Sequence, residues 1–304
     1  MQTTAILLLC ITGIGSNAGS SSLPDTNSGC FTSQDGLTLY YSRYLPYAIR
    51  GVVVYVTGIT GLDSGVQTEF IDSLLAIGIG VYFLHPRGTG FSQGRRGDEN
   101  IERFLSDYQD FADTLSVWHP EVPLFLFGHS MSGAFAIEIA ARNSSTYAGI
   151  IAVNPAYKYK QNKGTGPQFG DYVKYAFYYI FAPGALVVDM AGDSSLIEHP
   201  EDAKETASRM KNNLVVKKFS MRYMAASKRI MNKCIIDART LDLPLLLIYG
   251  EKDEIIEQSG HIELYDNWKS RDKTIIEVKD GGHGYHVVVW SLAKITDWFH
   301  ARLN

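Results

Sequence analysis

Serine, acid and histidine stand in that order in this chain, each just past a short apolar run. The serine is Ser130, in Gly128-His129-Ser130-Met131-Ser132-Gly133. The acid is Asp253, in Gly250-Glu251-Lys252-Asp253, and the histidine is His283, in Asp280-Gly281-Gly282-His283-Gly284. A serine hydroxyl is a weak nucleophile near neutral pH. It needs an imidazole to take its proton, and the imidazole needs a carboxylate to hold its tautomer. The order Ser, acid, His is that of folds carrying a nucleophile elbow. Such an elbow is spelled Gly-x-Ser-x-Gly, and here the last position is Ser132. The turn demands small residues two before and two after the serine, and Gly128 and Ser132 both qualify.

Other residues compete for two of these roles. Glu251, Glu254 and Asp280 stand beside Asp253 or the histidine loop. His286, at the start of the last helix, is an alternative base. His283 is preferred because its flanking glycines let the backbone bring it over the elbow. An acyl-transfer transition state also needs two N–H donors for its oxyanion. Met131 N–H, directly after the serine, offers one. Ile59 N–H, in the glycine-bounded loop Gly58-Ile59-Thr60-Gly61, offers the other.

These residues need a scaffold of strands ending on one edge. Leu124–Phe127 reads as a buried strand and Ala134–Arg142 as the helix after it. Val52–Val56, Gly80–Leu84, Ile150–Val153, Leu243–Tyr249 and Thr274–Val278 read as further strands. Helices are expected over 66–77, 101–117, 259–268 and 287–299. On the second of these, Phe104, Leu105, Tyr108, Phe111, Ala112 and Leu115 share one face. Phe31–Tyr41 reads as a hairpin turning at Asp35-Gly36. Strand–helix alternation predicts an α/β fold, a mostly parallel sheet flanked by helices. Residues 156–240 break the rhythm and read as a cap inserted over the sheet's carboxyl edge, before the acid strand. The core is then 31–155 and 241–304.

The N-terminal 18 residues read as a signal peptide: an apolar run over Ala5–Gly15, then Ser16-Asn17-Ala18, although the first residues carry no Lys or Arg. Residues 19–30 read as a linker. Export is the expectation, with a cytoplasmic protein as the alternative. Cys30 and Cys234 are left either to pair or to remain as buried thiols. A formal charge of −4 and the lack of any Lys/Arg block in the 304 residues argue against nucleic acid. Cys10, Cys30 and Cys234 lie far apart and His283/His286 is only a pair, so neither a metal nor an organic cofactor is expected.

At this point the chain resembles the α/β-hydrolase superfamily, over about residues 31 to 300. Within it the similarity is to the monoacylglycerol lipase/lysophospholipase-like group, filed with the serine aminopeptidase-type hydrolases. Four stretches carry it. His85-Pro86-Arg87-Gly88-Thr89-Gly90-Phe91-Ser92-Gln93-Gly94 resembles that group's Asp-x-Arg-Gly-His-Gly-x-Ser-x-Gly turn. Pro123–Gly133 resembles its elbow, Leu243–Asp253 its acid strand, and Asp280–His283 its histidine loop. The resemblance implies a serine ester hydrolase with Ser130, Asp253 and His283 as triad and Ile59 and Met131 as oxyanion donors. It implies no cofactor. Three departures stand out: Thr57-Gly58 replaces the family's His-Gly, His85 and Thr89 replace its Asp and His, and Ser132 replaces a glycine.

The aromatic stretch from Phe169 to Val188 suits either an acyl channel or the cap's own core. The substrate expected is a small or lipid-like ester, with transient membrane-surface contact through the cap. A peptidase or amidase on the same triad is one alternative. A catalytically inactive, lipid- or protein-binding member of the fold is another.

Overall fold

The computed structural model describes residues 28–61, 67–160, 169–190 and 197–303. The leader expected over 1–18 lies outside these residues. So does most of the expected linker, whose last three residues are already strand.

The chain opens with β1 (Ser28–Thr32) and β2 (Thr38–Tyr44), then β3 (Gly51–Val56), α1 (Thr68–Ala76) and β4 (Ile79–Leu84). There follow α2 (Ile101–Trp118), β5 (Leu124–His129), α3 (Met131–Arg142) and β6 (Gly149–Val153). The next stretch holds α4 (Phe169–Phe181), β7 (Leu186–Asp189), α5 (Pro200–Lys211), β8 (Lys218–Ser220) and α6 (Met221–Ala238). The chain closes with β9 (Leu245–Gly250), α7 (Gln258–Asn267), β10 (Lys273–Val278), α8 (His286–Trp290) and α9 (Leu292–His300).

Eight strands form one sheet in the order β1-β2-β4-β3-β5-β6-β9-β10. From β4 to β10 every pair is parallel, and only β2 runs against its neighbours. The hairpin is set by its turn. Thr32 faces Thr38, and Gly36 takes φ 87°, which an L side chain disfavours. Every residue of β3 is buried because helices cover both faces. Val52, Val54 and Val56 enter the core under α2, α3, α6 and α7, whereas Val53 and Tyr55 enter the core under α1, α8 and α9. That is the period of two a strand imposes.

Asn100 caps α2, its Oδ1 accepting from Glu102 and Arg103 N–H. The face expected on α2 is buried in full, from Phe104 to Leu115. The final helix is broken. Ser291, at φ −103° and ψ 3°, leaves helical geometry and separates α8 from α9.

Between β6 and β9 the described chain adds a two-stranded antiparallel sheet, β7 with β8. The last helix of this stretch, α6, packs on α3. Its Tyr223, Ile230, Met231 and Cys234 lie in the main core. Cys30 is half-buried on β1 and Cys234 is buried, and no disulfide joins them. Among the described residues no helix is long and apolar enough to cross a membrane.

Candidate active site

β5 delivers Ser130 to the carboxyl edge of the sheet. The residue sits between strand and helix at φ 59° and ψ −124°, a conformation that costs of order 1–3 kcal/mol and persists only where its surroundings enforce it. Here they do. Ser130 N–H donates to Val153 O (2.9 Å), and Ser130 O accepts from Gly133 N–H (3.0 Å) and Ala156 N–H (2.9 Å). A Cβ on Gly128 would strike the Ser132 carbonyl, so that position must be glycine. Ser132 meets its own demand differently. Its hydroxyl donates to His129 O (2.7 Å) and accepts from His129 N–H (3.0 Å), so the serine that replaces a glycine staples the elbow. α3 starts at Met131, three residues before its apolar run, because the elbow feeds directly into its first turn.

Three strand ends then converge. His283 Nε2 lies 2.7 Å from Ser130 Oγ, and His283 Nδ1 lies 2.7 Å from Asp253 Oδ2. The other oxygen of Asp253 accepts from Ile255 N–H (2.8 Å) and Ile256 N–H (2.9 Å). Asp253 is 3% exposed and His283 9%. Burial opposes ionisation of Asp253. The hydrogen bond and charge of His283 and the two backbone N–H groups outweigh it and hold the carboxyl below its usual value.

The rivals are spent elsewhere. His286 Nε2 accepts from Gly282 N–H (3.0 Å), and its ring turns toward α5, so the alternative base does not reach Ser130. Glu251 accepts from Asp280 N–H (3.0 Å), Glu254 from Glu198 N–H (3.2 Å), and Asp280 pairs with Lys252 at 2.6 Å.

Met131 N–H is the first of the leading N–H groups of α3, which have no acceptor within the helix. Ile59 is buried in the loop after β3, where Gly61 N–H closes a turn on Gly58 O (3.0 Å). The three side chains and the neighbouring N–H loop have the geometry that nucleophilic acyl transfer requires.

Residues 47–287 match the family described as Hydrolase_4, serine aminopeptidase, S33. The chain belongs to that family. Human monoglyceride lipase is 24% identical over 297 residues, covering 93% of this chain and 91% of the relative. The monoacylglycerol lipase of Paleococcus ferrophilus superposes with a TM-score of 0.72 at 26% identity, covering 87% of this chain and 99% of that one. A soluble variant of monoglyceride lipase from Saccharomyces cerevisiae, solved with a substrate analog, superposes at 0.75 with 19% identity, covering 93% and 96%. With the fold, these matches make the chain an ester hydrolase of the α/β-hydrolase, monoacylglycerol lipase-like group.

The departures from this family each find a local partner. Thr57 hydroxyl donates to Leu84 O (3.2 Å), and Thr57 N–H donates to Tyr108 Oη (2.9 Å). Thr89 packs under the N–H loop, where a Cβ on Gly61 would lie 3.1 Å from it. His85 is buried beside Tyr40 and Phe91.

Two residues of the site escaped the sequence reading. His129 Nε2–H donates to His283 O (2.7 Å), and so does Asn154 Nδ2–H (3.0 Å). Asn154 Oδ1 also accepts from Gly250 N–H (2.9 Å), so this one amide ties the acid strand to the histidine loop. The motif does contain His129, but only its ring contact reveals the role. Asn154 carries no signal in the sequence beyond following a strand.

Burial pushes His129 down to about 3, and His85 and His261 down to about 4. The unfolded chain protonates histidine near pH 6.5, about the usual value. The folded chain therefore binds fewer protons between about pH 6.5 and 4. The stability these neutral rings carry is complete above that window and is lost as pH falls through it. His129→Gln keeps a donor for His283 O and removes one such titration. Thermal midpoints between pH 7 and 4.5 are expected to fall less steeply for the variant than for the wild type. Equal slopes would contradict the assignment.

A further cluster joins α5 and its N-terminal flank to α8. His199, Asp202 and His286 bring three donor atoms within 4.8 Å of one another. The two rings stack at 4.7 Å with 9° between their planes. Lone pairs lie in the plane of an imidazole, and parallel planes cannot aim them at one ion. The outer nitrogens are also engaged: His199 Nε2–H donates to Asp280 O (3.0 Å), and His286 Nε2 accepts from Gly282. The cluster abuts the histidine loop.

Proposed function

We propose that the chain hydrolyses carboxylic esters, most of all lipid-like ones such as monoacylglycerols or lysophospholipids, through an acyl-enzyme on Ser130. The observation that carries this reading is the unbroken link from Ser130 Oγ through His283 to Asp253, at 2.7 Å in each step. The names of the relatives support the lipid substrate.

His283 Nε2 takes the Ser130 proton as Oγ attacks the ester carbonyl. Met131 and Ile59 N–H receive the negative oxygen, and the imidazolium formed is stabilised by Asp253. The intermediate collapses and the alcohol leaves with the proton from His283. Water then attacks the acyl-enzyme, giving its proton to His283. The acid departs, and Ser130 regains its hydrogen.

The test is turnover of a panel of monoacylglycerols, lysophospholipids, p-nitrophenyl esters of rising chain length and aminoacyl amides. Glycerol esters of longer acyl chains are expected to be preferred. Ser130→Ala is expected to lower kcat by about 10⁴-fold or more. Turnover confined to the amides would replace this reading with a peptidase. No turnover or fluorophosphonate labelling in folded protein would leave a binding member of the fold.

The aromatic stretch of the cap bears on the membrane expectation. α4 exposes Val173, Phe177, Tyr179, Ile180 and Phe181, with Ile180 at 66% and Phe181 at 71%. Such an apolar face is costly to leave in water and suits a lipid surface. The triple variant Phe177→Ser, Ile180→Ser, Phe181→Ser is expected to partition several-fold less onto phosphatidylcholine vesicles. Hydrolysis of p-nitrophenyl acetate should be unchanged. Equal partitioning would remove the proposal. Export stays a proposal on the leader sequence, and N-terminal sequencing of secreted protein, expected to begin at Gly19, tests it.

A further inference from the structure

Helix α5 spans the gap between the two loops that the chemistry needs. Its Asp202, Glu205 and Arg209 are three and four residues apart and so share one face. Asp202 Oδ2 accepts from His283 N–H (2.7 Å) and Asp202 Oδ1 from Gly284 N–H (2.6 Å). Glu205 Oε2 accepts from Tyr285 N–H (2.5 Å). Three successive main-chain donors, starting at the base itself, are thus bound by two carboxylates on one turn of a cap helix. Two turns after Asp202, Arg209 donates to Thr60 Oγ1 (3.0 Å), and beyond the end of α5 Val216 N–H donates to Thr60 O (2.8 Å). Thr60 follows Ile59 in the loop expected to hold the oxyanion.

The glycines of the histidine loop carry the imprint of this contact. None of Gly281, Gly282 and Gly284 takes a positive φ, so backbone freedom does not explain them. A Cβ on Gly282 would lie 2.5 Å from Asp202 Oδ2, and one on Gly284 would strike Asp202 Oδ1 and come within 2.7 Å of Glu205 Oε2. Gly282 and Gly284 leave the room that the carboxylates fill. On its far side His283 is held by the core, its carbonyl accepting from His129 and Asn154.

We infer that Asp202 and Glu205 are positioning residues that fix the main chain of His283, so that cap and base move together and α5 sets the span between histidine loop and oxyanion loop. This rests on the reading of His283 as base of a Ser130 hydrolase. Hydrogen bonds to a carboxylate are short and strong. Without Asp202 the main chain of His283 keeps only its carbonyl anchor and pivots about it. A misplacement of about 1 Å at the reacting atoms costs about 100-fold in rate.

The experiment compares Asp202→Ala, Asp202→Asn, Glu205→Gln and, as control, Glu201→Gln, an exposed carboxylate in the same helical turn. The readouts are kcat and KM on p-nitrophenyl acetate, the rate of fluorophosphonate labelling, the thermal midpoint, and the low-field proton resonance of His283 Nδ1–H. Asp202→Ala is expected to lower kcat and labelling about 10- to 100-fold, move KM less than about 3-fold, and shift or broaden the resonance. Asp202→Asn, able to accept only one of the two N–H groups, falls between. Glu201→Gln matches the wild type. A folded Asp202→Ala that labels and turns over like the wild type overturns the inference. If that variant does not fold, an unchanged kcat in Glu205→Gln overturns it instead. Failure of the underlying reading looks different: the wild type itself would not label, or Ser130→Ala would stay active.

Discussion

Asp253→Asn is expected to lower kcat by about 10⁴-fold while the protein stays folded. The asparagine Oδ1 can keep the two backbone donors of Ile255 and Ile256. Its amide then faces His283 Nδ1 as a donor where a carboxylate accepted. Nδ1 must offer its lone pair, the proton moves to Nε2, and Nε2–H cannot take the hydrogen of Ser130. The binding of substrate is untouched, so the loss belongs in kcat and KM should stay close to the wild-type value. Steady-state kinetics on a p-nitrophenyl ester, beside a thermal melt, check both halves. A variant within about tenfold of the wild type would mean that another group orients the imidazole.

The second large effect falls on stability. Arg87 lies in the glycine-rich turn after β4 and is 4% exposed. Its guanidinium grips two carboxylates, each with two hydrogen bonds. Asp107 of α2 accepts at 2.7 and 2.6 Å, and Asp35 of the hairpin turn at 2.9 and 3.1 Å. Arg87→Met keeps the length of the stem and leaves Asp107, wholly buried, without its cation. Breaking a buried pair by removing one partner costs about 3 to 5 kcal/mol, which in a chain of this size lowers the melting midpoint by on the order of 10 °C. Arg87→Lys keeps the charge but not the planar fork, and should lose less. Denaturant unfolding of the three proteins decides. A loss below about 1 kcal/mol for Arg87→Met would show that the network does not hold the turn to the sheet.

Much of the scaffold was legible because it is local and periodic. The β-branched run Val52–Val56, the apolar stripe of α2 and the Asp35-Gly36 turn each record their environment in neighbouring residues. The meeting of Ser130, Asp253 and His283 was legible because strands of a parallel sheet end on one edge, so the loops after β5, β9 and β10 come together there. The choice between His283 and His286 was made on the flanking glycines. The structure brings His283 and not His286 to Ser130, but the glycines admit Asp202 and Glu205 and take no special φ. Those two carboxylates lie 80 or so residues from the loop they hold, on a helix with no strong apolar stripe, and no spacing announces them. α6 was hidden in the same way. It lies within 156–240, the stretch read as a cap, but packs on α3, and burial in the main core is a tertiary fact. The departures at Thr57, Thr89 and Ser132 read as anomalies one by one. Each is satisfied by a hydrogen bond or contact that only the folded chain supplies.

The most direct measurement is covalent labelling of the folded protein by a fluorophosphonate, followed by peptide mapping of the adduct. A single adduct on Ser130 is expected, and none in Ser130→Ala. An adduct on another serine, or none on a protein that melts cooperatively, would contradict the account.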